Sequence, residues 1–154
     1  MKNFLAISPE VLYPSEKRIS LSLENIDELK ALALKNPDKK IRICMHSNPY
    51  EVVHEMIIIH VRDYYVRPHA HLDREESIYI IEGEADLVFY DGKGLVIEKI
   101  QMGELKSGRV FYYKIPKNQI HTFKIHSEWL VFKEVTHGPF NADSTYFPKF
   151  NIKK

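Results

Sequence analysis

Between residues 41 and 136 the apolar and β-branched residues fall into nine short segments divided by turn residues, and this spacing constrains the fold more than any other feature. The segments are 41–46, 54–62, 67–71, 77–82, 85–90, 95–101, 110–115, 120–125 and 129–136. Runs this short and this closely spaced predict an all-β sandwich or barrel. Asp91 and Gly92 are expected to supply the positive-φ turn of a hairpin between 85–90 and 95–101. Eight prolines, six glycines and 12% aromatic residues agree with frequent turns and a β-rich interior.

Ahead of these segments one helix is expected. It opens at Asn25 with Glu28 three residues on, carries Ile26, Leu29, Leu32 and Leu34, runs to Lys35 and stops at Asn36, Pro37 and Asp38. Residues 1–21 lack periodicity and read as an N-terminal arm, packed on its own domain or on a second subunit. Residues 22–150 read as a single domain, and 154 residues are enough to bury a substantial core.

The 22 basic and 21 acidic residues nearly cancel, so no global field favours nucleic acid. The Lys39-Lys40 and Lys153-Lys154 pairs read as short solvated clusters. A single cysteine, Cys44, excludes an internal disulfide framework and reads as a small core residue. The longest apolar run, Met56 to Ile59, is far below the ~20 residues needed to cross a bilayer. A reducing cytoplasm is the expected compartment.

Chemistry concentrates between Arg67 and Gly83. Alternate residues of a strand share a face, so His69 and His71 offer two imidazoles to one point. Imidazole with carboxylate suits a borderline divalent ion such as iron, zinc, manganese or nickel. Downstream, Pro116 leads a turn that delivers His121 just inside another strand. On a strand, Arg67 would share the face of His69 and His71 as a candidate anion contact, the alternative being a rim ion pair with Asp73 or Glu75. His46 is a candidate substrate contact or a hydrogen-bonded structural histidine. His54, His60, His126 and His137 lack supporting spacing and read as surface or core polar groups. Tyr64, Tyr65, Tyr112, Tyr113 and Trp129 read as core or interface aromatics, with stacking on a sugar ring as the rarer use.

This spacing resembles the cupin superfamily, whose motifs read G-x5-H-x-H-x3-4-E-x6-G and G-x5-P-x-G-x2-H-x3-N. His69, His71, Glu76 and Gly83 fall on the first motif, and Pro116 and His121 on the second. Asp63, Val110, Asn118 and Ile125 depart from it, although Asn118 tolerates the left-handed backbone its turn needs. Glu75 is a rival to Glu76, which better fits the six-residue gap to Gly83. More narrowly, the order of Arg42 to His46, Pro68 to His71, Glu76-Ser77, the Tyr90-Asp91-Gly92 hairpin, His121 and Gly138 to Phe140 resembles WbuC-type cupin-fold metalloproteins, small bacterial proteins often encoded beside polysaccharide biosynthesis genes.

The resemblance implies a double-stranded β-helix, a jelly-roll-like barrel, holding one divalent ion on His69, His71, Glu76 and His121. Three histidines and one glutamate leave coordination positions open, as catalytic sites do. An enzyme acting on a small oxygen-rich substrate, such as a sugar or nucleotide-sugar in bacterial surface polysaccharide biosynthesis, is the first expectation, with isomerase- or epimerase-like Lewis-acid chemistry. An iron-dependent dioxygenase, a binding module without turnover, and a metal-free cupin using His71 or His121 as base are the alternatives. No nucleic-acid or membrane partner is expected, and a homodimer is expected by analogy.

Overall fold

The computed structural model describes residues 3–150; Lys153 and Lys154 lie outside the described residues. The helix, α1 (Leu23–Lys35), begins three residues earlier than the sequence suggested, because Ser22 rather than Asn25 is the N-cap. Ser22 and Asn25 form a reciprocal capping box, with Asn25 in the position of the usual glutamate or glutamine. The buried face is Ile26, Leu29 and Ala33, at spacings of three and four. Leu32 and Leu34, expected on the stripe, sit beside this face and are exposed.

Among the described residues there are twelve strands, two before the helix and ten after it: β1 (Phe4–Ser8), β2 (Val11–Pro14), β3 (Lys40–Cys44), β4 (Val53–Val61), β5 (Ala70–His71), β6 (Glu76–Glu82), β7 (Glu84–Tyr90), β8 (Val96–Gly103), β9 (Tyr112–Ile115), β10 (Ile120–Ile125), β11 (Trp129–His137) and β12 (Thr145–Tyr146). Seven form one sheet in the order β1-β2-β3-β4-β11-β6-β9, three form a second in the order β10-β7-β8, and β12 pairs with β5. All neighbours are antiparallel except β2 and β3. The two larger sheets pack as a jelly roll, so the fold is all-β with one N-terminal helix.

Residues 3–21, where no periodicity is visible, hold the β1–β2 hairpin, which extends the seven-stranded sheet by parallel pairing of β2 on β3. The expected strand 67–71 is shorter than predicted, with only Ala70–His71 in β5. Arg67 therefore lies outside the strand, and strand alternation does not govern its direction. The β7–β8 hairpin turns through Asp91 to Gly94, but its left-handed residue is Gly94 at φ +87°, not Gly92. Asp91 Oδ1 accepts hydrogen bonds from the amides of Lys93 and Leu95, an Asx turn that fixes the loop.

The period-two alternation divides the seven-stranded sheet into two faces. Ile41 and Ile43 of β3, Ile57, Ile59 and Val61 of β4 and Val131 of β11 pack against α1. Cys44, Met56, Ile58, Ile78, Ile80, Leu130 and Phe132 face inward and meet Ala85, Leu87, Phe89, Phe123 and Ile125 of the second sheet. Burial also pushes the Cys44 thiol up, consistent with a core role.

Gly83 joins β6 to β7 at φ +91°. A Cβ there would lie 2.0 Å from the carbonyl oxygen of Trp129 and 2.5 Å from Ser127 Oγ. Ser127 Oγ itself donates to Trp129 O and accepts the Glu84 amide, so it has little room to give. Gly83→Ala is expected to cost about 3 kcal/mol through unfavourable φ and the backbone clash. Urea denaturation measures this; a cost below ~1 kcal/mol would contradict the packing described.

Candidate metal centre

Four polar side chains converge at one end of the jelly roll. His69 and His121 face each other in an isolated antiparallel bridge, exchanging backbone hydrogen bonds of 3.0 and 2.9 Å. That pairing sets their rings side by side, with centroids 4.5 Å apart. The turn before β10 passes through Asn118 at φ +64°, and its amide donates to the carbonyl of His71 at 2.7 Å. Asparagine thus fills the left-handed position where the cupin pattern has glycine. Glu76 opens β6, cross-paired with Thr136 of β11 and Ile115 of β9.

Ligand atoms of His69, Glu76 and His121 all lie within 4.8 Å of one another. His71 stands at the edge of this group, with Nε2 2.9 Å from one Glu76 oxygen, while His121 Nε2 is 3.2 Å from the other. Glu76, not Glu75, faces the cluster; Glu75 points outward to Lys114 at 2.6 Å. The second ring nitrogen of each histidine is occupied. His69 Nδ1 lies 2.9 Å from the carbonyl of Arg67, and His121 Nδ1 lies 2.9 Å from the carbonyl of Gln119. His71 Nδ1 lies 3.2 Å from the Thr145 hydroxyl. Carbonyls accept only, so His69 and His121 carry their protons on Nδ1 and present Nε2 as a lone pair, as metal ligands do.

Electrostatics fits the same purpose. Burial, reinforced by the neighbouring His121, pushes His69 down to about 4, so it is neutral at physiological pH. For Glu76 burial opposes ionisation, but the imidazoles of His121 and His71 beside it prevail and hold its carboxyl well below the usual range. A neutral His69 beside an ionised Glu76 matches the needs of a divalent cation.

The cluster opens into a cavity of about 410 Å³ between the sheets. A family model described as a domain of unknown function, DUF6016, matches residues 21–102, more than half of the chain. The chain belongs to the DUF6016 family. No curated protein sequence matches it.

Among solved structures, this DUF6016 chain is similar to CapF in complex with 3-isopropenyl-tropolone, at 15% identity and TM-score 0.57 over 75% of its own length and 33% of that chain. It is similar to KdgF from Halomonas sp. at 14% identity and TM-score 0.53, covering 70% of its own length and 86% of that chain. It is similar to oxalate decarboxylase from Bacillus subtilis at 21% identity and TM-score 0.51, covering 70% of its own length but only 27% of that chain. These likenesses make the fold a cupin fold.

The DUF6016 cavity collects more chemistry than the motifs indicated. His46 lines it, with Nδ1 3.2 Å from both the amide and the carbonyl of Glu55 and its ring stacked on His54 at 4.0 Å. Arg67 lines it without an ion pair to any described residue: its guanidinium lies over the Phe147 ring at 4.5 Å, while Asp73 pairs with Arg74 and Glu75 with Lys114. His54, His60 and His137 also line it, whereas His126 is outside, 3.0 Å from Asp86. Of the aromatic residues weighed for stacking, Tyr64 lines the cavity; Trp129 packs toward α1, and Tyr113 packs beside Phe89.

Glu134 is the residue that sequence reasoning missed. It lies on β11 between Met56 of β4 and Ile78 of β6, two rungs from the Thr136–Glu76 pair and on the same face, and lines the cavity. No described residue hydrogen-bonds or ion-pairs with its carboxylate. Desolvation, with the like charge of Glu76 nearby, pushes it up to about 8 against the pull of Arg42 and Arg74. The available signal was parity, since Glu134 is in step with the inward residues Leu130 and Phe132. By the same parity His54 and His60 are in step with Met56 and Ile58.

Proposed function

We propose that this protein is a metal-dependent enzyme that moves a proton on a small, oxygen-rich, anionic substrate, with a nucleotide-sugar as the substrate class. The observation that carries this reading is Glu134, a cavity carboxylate in an environment that favours its neutral form, beside a cluster fit for a divalent ion. A carboxyl group tuned toward neutral pH can both accept and return a proton. A bound divalent ion would supply Lewis-acid polarisation of a carbonyl or hydroxyl oxygen.

The chain's own residues supply the rest. The Arg67 guanidinium, lying over the Phe147 ring with no ion pair to any described residue, is placed to take a carboxylate or phosphate at the cavity mouth. Lys40 and Arg42 add positive charge to the wall, and Ile58, Phe123 and Phe132 form an apolar floor. Such a lining, with Glu134 in it, favours proton transfer over oxygen chemistry. The WbuC-type resemblance supports a sugar-nucleotide substrate from surface polysaccharide biosynthesis. Oxalate decarboxylase illustrates a related fold acting on a small oxygen-rich anion.

Incubation of the metal-loaded protein with UDP-, GDP- and dTDP-hexoses in D2O tests this reading. A one-mass-unit gain at carbon in recovered sugar, lost in Glu134→Gln, is expected. No exchange with any of them, together with oxygen uptake by the ferrous form, would overturn it.

A further inference from the structure

The three histidines of the cluster are not held alike. The oxygens that receive Nδ1 of His69 and His121 are backbone carbonyls, which can only accept. The oxygen facing His71 Nδ1 is the Thr145 hydroxyl, which can accept or donate. When that hydroxyl donates to Nδ1, the ring proton of His71 sits on Nε2 and is shared with Glu76, and His71 is no ligand. When it accepts from Nδ1, Nε2 becomes a lone pair directed at the cluster. This difference parallels the geometry, in which His71 stands outside the 4.8 Å group and bonded to Glu76.

Thr145 reaches His71 from a distant part of the sequence. The two residues are directly paired between β12 and β5, which places their side chains on one face. The Leu72 amide donates to the Ser144 carbonyl at 2.9 Å. Buried Arg74 donates from Nη1 to Ser144 Oγ at 2.7 Å and from Nη2 to Thr145 Oγ1 at 3.4 Å. The Arg74 guanidinium is an obligate donor, so it occupies one lone pair of the hydroxyl and fixes the oxygen beside His71. Phe147, two residues on, lies against both Arg67 and His69. The 139–147 segment thus forms one wall of the metal centre.

We propose that Thr145 is the positioning residue that makes His71 the fourth, exchangeable ligand, so that the centre is a fixed His69–Glu76–His121 triad with one switchable arm. The inference rests on the metal reading above. It departs from a uniform four-ligand site: loss of His71 weakens binding, whereas loss of His121 removes it.

The test is a Co2+ titration of the metal-free full chain against a competing chelator, read by affinity and by the visible absorption band. Thr145→Val, which keeps shape and removes the hydroxyl, should lower affinity 10- to 100-fold and change the band. Thr145→Ser should restore both. Ser144→Ala, which loosens the Arg74 anchor but leaves the hydroxyl on His71, should bind nearly as the wild type does. Wild-type affinity and band in Thr145→Val would overturn the inference, as would an equal loss in Ser144→Ala. A wild-type chain that takes up no Co2+ would instead overturn the metal reading itself, so the two failures are told apart by the first titration.

Discussion

Glu134→Gln is expected to stabilise the metal-free protein by of the order of 4 kcal/mol at pH 8 and by less than ~1 kcal/mol at pH 5. The sign follows from the direction of the shift. The Glu134 carboxyl titrates near 8 in the fold and near 4.5 when unfolded. Between these values the native state holds a proton that the unfolded chain has released, so stability falls as pH rises. At pH 8 the wild type carries nearly the whole cost of ionising a desolvated carboxylate facing Glu76, and glutamine removes that cost. Urea denaturation at the two pH values measures it. Equal effects at both would show that Glu134 is not held neutral.

His60 contributes with opposite sign. Burial, with Lys40 nearby, pushes it down to about 3, and its Nδ1 has no partner among the described residues. The unfolded imidazole takes up a proton below about 6.5 that the native ring refuses, so this contribution falls as pH drops from 6.5 toward 3. Between about 4.5 and 6.5 the two slopes oppose each other. The wild type should therefore show a flatter pH profile than either Glu134→Gln or His60→Phe.

Much of the fold is legible because alternation repeats over several residues. Every one of the nine segments holds a strand, and the long ones, β4 and β11, are placed to within about one residue. Where the pattern is too short to repeat, it carries no signal. The two-residue strand β12 is invisible in the sequence, and Thr145 with it. The shortening of the 67–71 segment reflects the residues around it: Pro68 has no amide to give a ladder, and Arg62 and Asp63 make a turn before it.

The candidate site divides in the same way. Histidines at i and i+2, a glutamate and a later histidine are recognisable by spacing, and the structure brings His69, His71, Glu76 and His121 together. The rest of the cavity is assembled from strands distant in sequence. Glu134 and Lys133 are neighbours on one strand, and only the pairing of β11 shows that Lys133 faces Glu55 on the outside while Glu134 faces the cavity. His54 and His60 look unsupported until β3, β4 and β11 are placed side by side and their inward rows become one wall.

The central claim is that these rows surround a metal ion, and elemental analysis of protein purified without chelator tests it most directly. Near one divalent ion per chain is expected in the wild type, with essentially none in His121→Ala, which removes a ligand of the fixed triad and leaves Glu76 without one of its two imidazole partners. A wild-type chain devoid of metal, or a His121→Ala variant that retains it in full, would contradict the account.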